Sequence, residues 1–157
     1  MKWQASAPSN IALIKYMGKA DTQSNTAIND SLSFTLNHLY TRVELEITDN
    51  KKDQWQALEG TDLYPIVLNS QSQARFLQHL NFLKQHFNFN QNFMVRSGNN
   101  FPVSAGLASS ASSFAALTQC ATQAICELQQ RETLPPATLA QLSQQGSGSS
   151  CRSFFSP

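Results

Sequence analysis

The chain has 157 residues, of which 41% are hydrophobic and 13% charged, with a formal net charge of +1. That is about one domain, long enough to bury a core. It is too nearly neutral for a global field to draw it to nucleic acid or a membrane surface, so any anion it binds must be held by local groups.

The amino end lacks the unbroken apolar stretch of a signal peptide or membrane span, and the sequence reads as a soluble cytoplasmic protein. Trp3–Ala7 and Ile11–Tyr16 read as short strands separated by the turn residues Pro8, Ser9 and Asn10. Met17–Asn29 is polar and reads as a loop. Leu32, Phe34 and Leu36 then alternate with Ser31, Ser33 and Thr35, and Val43, Leu45 and Ile47 repeat the alternation. Two half-buried strands joined across Asn37–Thr41 predict an antiparallel pair. Gln54–Leu58 is a weaker strand candidate. From Ser72, the residues Phe76, Leu77, Leu80, Leu83 and Phe87 form one stripe of an amphipathic helix, on which His79 and His86 are expected to be exposed. Asn92–Arg96 reads as a strand. Ser109–Gln129 is Ala-rich and apolar enough for a helix buried over most of its surface. Pro135-Pro136 opens a shorter helix to about Gln145. A Gly/Ser loop follows, and Phe154-Phe155 reads as the start of a strand. The order predicts an α+β fold, with helices on one face of a mainly antiparallel sheet.

Cys120, Cys126 and Cys151 are odd in number and lack CxxC or Cys/His spacing, so neither a disulfide framework nor a zinc site is expected. Cys120, Cys126, Met17 and Met94 read as core. His38, His79 and His86 form no triad pattern with Ser or Asp.

Three segments carry candidate chemistry. The small residues of Pro102–Ser110 run straight into the apolar helix, whose first N–H groups and dipole favour an anion. Ser104, Ser109 and Ser110 add hydroxyls that can donate to phosphate or help hold a metal bound to a nucleotide. A serine cap explains Ser109 or Ser110 equally well, but a cap needs one serine and here there is a whole small-residue loop. It is not a Walker A loop, because no Lys follows the Gly at the required offset. In Gln145–Arg152, glycines and serines offer backbone amides and hydroxyls, and Arg152 offers a fork for a carboxylate or phosphate. Such runs are more often linkers. Arg152, however, neighbours Cys151, Phe154 and Phe155, where an unpaired guanidinium is costly. In Asn10–Lys19, Lys15 ends an apolar strand and either binds phosphate or is solvated. Lys19 alone reads as solvated.

Three of these stretches, Ala7–Asp21, Asn29–Leu36 and Asn100–Ala111, occur in the order found in the amino-terminal half of the diphosphomevalonate decarboxylase family, which the chain resembles. Gly146–Ser153 is a fourth match. That family belongs to the GHMP kinase superfamily, whose kinases usually carry a Gly-Glu-His element that is missing here. The resemblance implies a GHMP-type N-terminal domain over residues 1–157. It also implies ATP-dependent decarboxylation of mevalonate 5-diphosphate to isopentenyl diphosphate, with Mg2+. By matching position, Ser104, Ala105, Gly106, Leu107, Ala108, Ser109 and Ser110 would cradle the ATP phosphates. The substrate would meet Asn10, Lys15, Tyr16, Met17, Gly18 and Lys19 on one side. On the other it would meet Ser147, Gly148, Ser149, Ser150, Cys151 and Arg152. Lys15, Ser110 and Arg152 are the implied catalytic groups, Arg152 gripping the carboxylate steadied by Asn10.

The departures are Met17 where the family has Trp, Ala20 where it has Arg or Lys, and Asp30 where it has a small or amide residue. The family is about twice as long, with its catalytic aspartate in the second half. The chain therefore reads as an amino-terminal segment, expected to be inactive alone. The family is often dimeric, so a homodimer is an implied partner. A related small-molecule kinase and a non-catalytic nucleotide-binding remnant are the alternatives.

Overall fold

A computed structural model describes residues 1–14, 19–21, 26–27, 32–102 and 109–154, with the backbone alone for 11–14, 19–21, 26–27 and 32–33. In chain order the elements are β1 (Lys2–Ile14), β2 (Lys19–Asp21), β3 (Thr26–Ala27), β4 (Leu32–Thr48), β5 (Gln54–Ala57), α1 (Ser70–His86), β6 (Asn92–Asn99), α2 (Ser109–Leu128) and α3 (Pro136–Gln144), ending in a 3-10 turn, Ser150–Phe154. The main sheet runs β1-β4-β6-β5. It is antiparallel at β1–β4 and β4–β6 and parallel at β5–β6. This is the expected α+β class.

The core lies on one face of that sheet. Trp3, Ala5, Val43, Leu45, Phe93 and Val95 project from alternate positions and pack against Ala115, Leu117, Ala121 and Ala124 of α2. Fully burying a Leu, Val or Phe side chain contributes about 1.5–3 kcal/mol. The opposite face carries polar pairs such as Arg96–Glu46 and Lys2–Glu44, whose exposure makes them minor contributors. Among the described residues, no helix is long and apolar enough to cross a membrane.

Four expectations are corrected. Pro8–Asn10 is not a turn, since β1 runs through it as one strand; proline is tolerated because β1 is an edge strand of the sheet. Asn37–Thr41 is not a hairpin connection either, because both halves of β4 pair with β1. Pro8 faces Tyr40 but Ser9 faces Leu36, so Asn37–Leu39 bulge outward. The Asn100 side chain closes the bulge, its oxygen accepting from Tyr40 N at 2.7 Å and its nitrogen donating to His38 O at 2.8 Å. Beyond the bulge the apolar positions change parity, and Phe34 is 56% exposed. Within the presumed loop after Met17, β2 and β3 form a small antiparallel ladder. Finally, Phe154 belongs to the 3-10 turn and not to a strand.

Candidate functional site

Past the bulge, β1 enters polar surroundings. Ser9 and Asn10 are fully buried, and Asn10 Nδ2 donates to Ser153 Oγ at 3.0 Å. This bond ties the strand to the 3-10 turn beside Arg152. Ser9 Oγ, Asn10 Oδ1, and Nε and Nη1 of Arg152 are all buried and without a hydrogen-bond partner among the described residues. Leaving such groups unpaired costs roughly 1–3 kcal/mol each, more for a charged one. A cationic fork and orphaned acceptors, on segments joined by the Asn10–Ser153 bond, suit a ligand that carries an anionic group and a hydroxyl.

The turn leading to Arg152 is held by its own serines. Ser150 is fully buried, and its hydroxyl lies 2.7 Å from Ser147 O and 3.0 Å from Ser143 Oγ on α3. It therefore braces the turn from inside. The Cys151 thiol points at Gly148 O, and burial raises its pKa, which keeps it neutral. Ser147 and Ser149 hydroxyls lie 3.4 Å apart.

The start of α2 forms the second part. Ser109 is half-buried and Ser110 exposed. The first turn holds no acidic residue, so no carboxylate of that turn offsets the positive end of the dipole. Ser109, Ser110 and Ser113 line a cleft of about 170 Å³ with Arg75, Asn99, Ile66 and Phe114. A drug-sized ligand fills about 300–1,000 Å³, so this cleft can enclose only part of a larger molecule. A buried polar chain fixes the helix start to the sheet. Thr41 Oγ1 donates to Asn99 Oδ1 at 2.6 Å and lies 2.7 Å from Ser112 Oγ, which is 3.2 Å from Ser109 O.

The two parts meet at Gly146. A Cβ there would lie 2.3 Å from Phe114 Cδ1 and 2.9 Å from the His79 ring, so only glycine fits this close approach. Arg75 Nη2 donates to Gly146 O at 2.8 Å, with its guanidinium carbon 5.0 Å from the Phe114 ring centroid. The helix start and the Gly146–Arg152 turn thus stand on the same side of the molecule.

His79 corrects the expectation of exposure. It is 4% exposed, stacks on Phe82, and its Nε2 lies 2.8 Å from Thr118 Oγ1. Burial first, and then the charge of Arg75, lower its pKa to about 4, so it is neutral near pH 7. The Arg75–Gly146 bond and the separate Thr41–Asn99–Ser112 chain escaped the sequence reading. One signal was present for His79, which stands three residues after Phe76 and four before Leu83 and so edges the apolar stripe.

Lys15, Tyr16, Met17, Gly18 and Ser104–Ala108 lie outside the described residues, as does Asp30. Lys19 opens β2, described by backbone alone.

Residues 7–157 match the model of the diphosphomevalonate decarboxylase-like N-terminal domain. The Saccharomyces cerevisiae diphosphomevalonate decarboxylase is 36% identical over 95% of this chain and 38% of that protein. A crystal structure of a mevalonate diphosphate decarboxylase from Legionella pneumophila is 52% identical, with a TM-score of 0.91 over 100% of this chain and 50% of that one. A structure of MDDEF in complex with MVAPP, AMPPCP and magnesium is 35% identical, with a TM-score of 0.82 over 99% of this chain and 44% of that one. The chain thus spans half or less of the length of these relatives.

Proposed function

Because the chain belongs to the diphosphomevalonate decarboxylase-like N-terminal domain family, we propose that it serves the ATP-dependent decarboxylation of mevalonate 5-diphosphate, by holding that substrate and the nucleotide phosphates. The observation that carries this reading is that two Arg152 nitrogens and Asn10 Oδ1 are buried without a hydrogen-bond partner among the described residues, with Asn10 bonded to Ser153, next to Arg152 in the chain. Arg152 grips the substrate carboxylate, and Asn10 accepts from the tertiary hydroxyl that is to be phosphorylated. The amides and hydroxyls of Ser147, Gly148 and Ser149 hold the diphosphate, and Lys15, Tyr16 and Lys19 are further substrate contacts by their match to the family's motif. Ser109 and Ser110, at the open end of the α2 dipole, meet the nucleotide phosphates together with Ser104–Ala108.

ATP supplies the phosphoryl group, and magnesium spreads the charge of its phosphates. The chain's own contribution is positioning and charge stabilisation, which dominate phosphoryl transfer. Support for this ligand set comes from MDDEF, which binds MVAPP, AMPPCP and magnesium together. Magnesium would be carried on the phosphate oxygens, a usual mode for this ion, and the Ser109 and Ser110 hydroxyls would help hold it.

Calorimetric titration tests the reading. Mevalonate 5-diphosphate is expected to bind at least about tenfold tighter than isopentenyl diphosphate, which lacks the carboxylate and the hydroxyl. Equal affinities would contradict it.

A further inference from the structure

His79 takes no part in the function proposed above, yet it stands directly behind the turn on which that function depends. Its ring is buried, stacks on Phe82 and meets the Phe114 ring edge-on with centroids 5.3 Å apart. Its Nε2 lies 2.8 Å from Thr118 Oγ1. Side chains from two helices thus fix where the ring lies and how it is turned.

The Thr118 bond also decides which ring nitrogen carries the proton. A hydroxyl has one hydrogen to give, and Thr118 donates it to Phe114 O at 2.7 Å. Toward His79 the Thr118 oxygen can therefore only accept. Nε2 of the neutral ring bears the hydrogen, and Nδ1 bears none. The His79 atoms nearest Gly146 are Cγ and Nδ1, each 2.9 Å from the place a Cβ would occupy. Neither carries a hydrogen, so the backbone closes on this edge more tightly than it could on a C–H or N–H edge. Gly146 N and Ser147 N are meanwhile held by Ser143 O at 3.0 and 3.2 Å. Bonds satisfy the polar groups of the turn, while the two rings behind it set how deep Gly146 sits.

We infer that His79 is a positioning residue for the substrate acid: its hydrogen-free edge, held in place by Thr118, sets the depth of Gly146. Through the short turn that follows, it sets where Ser147–Ser149 and Arg152 present their donors. Close packing passes small displacements on rather than absorbing them, and hydrogen bonds weaken steeply once distance and angle depart from their preferred range. The inference rests on the proposed function for the identity of the acid, and it adds the residue that aims the turn.

The test is calorimetric titration of the full chain and its variants with mevalonate 5-diphosphate and, separately, with AMPPCP. Hydrogen exchange of the turn is followed in parallel without ligand. His79→Phe brings a C–H against Gly146 and loses the bond to Thr118. It is expected to weaken mevalonate 5-diphosphate binding about tenfold, with AMPPCP binding at the start of α2 unchanged. Thr118→Val frees the ring and is expected to do the same. The double variant is no worse than either single one, because both act through one contact. His79→Gln, whose amide N–H can reach Thr118 without bringing a ring hydrogen to Gly146, falls between His79→Phe and the native chain. The amides of Gly146, Ser147, Ser150 and Arg152, all bonded in the native turn, exchange faster in His79→Phe and Thr118→Val. Native affinity for the acid in both of these variants, or an equal loss of both ligands, overturns the inference. A native chain that binds neither ligand overturns the proposed function instead. The exchange measurement, which needs no ligand, then still decides whether His79 holds the turn, and unchanged rates in both variants overturn that.

Discussion

The two halves of the β1–β4 ladder are built for different ends. Before the bulge, Lys2–Pro8 pair with Tyr40–Glu46, and Trp3, Ala5, Val43 and Leu45 are sunk into the core. After it, Ser9 and Asn10 are as deeply buried, yet their Oγ and Oδ1 lack hydrogen-bond partners among the described residues. Depth is thus no guide to purpose. In the first half burial is repaid by apolar contact, whereas in the second it leaves a cost that a ligand can remove.

The largest effect should come from removing the core that backs the first half. Phe93→Ala, beneath Trp3 and Phe89, is expected to lower unfolding free energy by about 3–5 kcal/mol, measured by urea titration. His79, at the seam between α1 and the Gly146 turn, comes next. Its pKa falls from 6.5 unfolded to about 4 folded, so its neutral form contributes in full above about pH 6.5. That contribution is lost as pH drops toward 4, on the order of 3 kcal/mol. Thermal midpoints of native and His79→Phe chains across this window should converge as pH falls. A constant gap would show that His79 does not titrate there.

A finer contrast sets two buried hydroxyls against each other. Thr41 Oγ1 contacts both Asn99 and Ser112, so Thr41→Val should cost about 1–3 kcal/mol by stranding them. Ser9 Oγ has no hydrogen-bond partner among the described residues, so Ser9→Ala should be neutral or stabilising by up to about 1 kcal/mol. A large loss from Ser9→Ala would erase the distinction between the halves.

Much of this was legible in the sequence, because periodicity is a property of the chain itself. α1, α2 and β6 follow from their stripes, and the candidate anion segments were singled out by small residues before a helix and by an arginine among apolar neighbours. What was hidden depends on distant partners. The bulge is closed by Asn100, far along the chain from Tyr40. Both long helices end with left-handed residues, Asn88 (φ 52°) and Gln130 (φ 55°), where glycine would have been the clear signal. His79 looks polar on a helical wheel, and only Thr118 opposite explains its burial. Arg75 could not be singled out, since the carbonyl it holds belongs to a turn formed by residues 71 positions later.

The most direct measurement is the affinity of mevalonate 5-diphosphate for the native chain and for Arg152→Ala, with stability followed in parallel. The substitution should weaken binding by about 2–5 kcal/mol, roughly 30-fold or more, while leaving unfolding free energy unchanged or raised, because buried unpaired nitrogens are removed. Equal affinity in the two chains, or a collapse of stability in the variant, would mean that Arg152 serves the fold and not the acid.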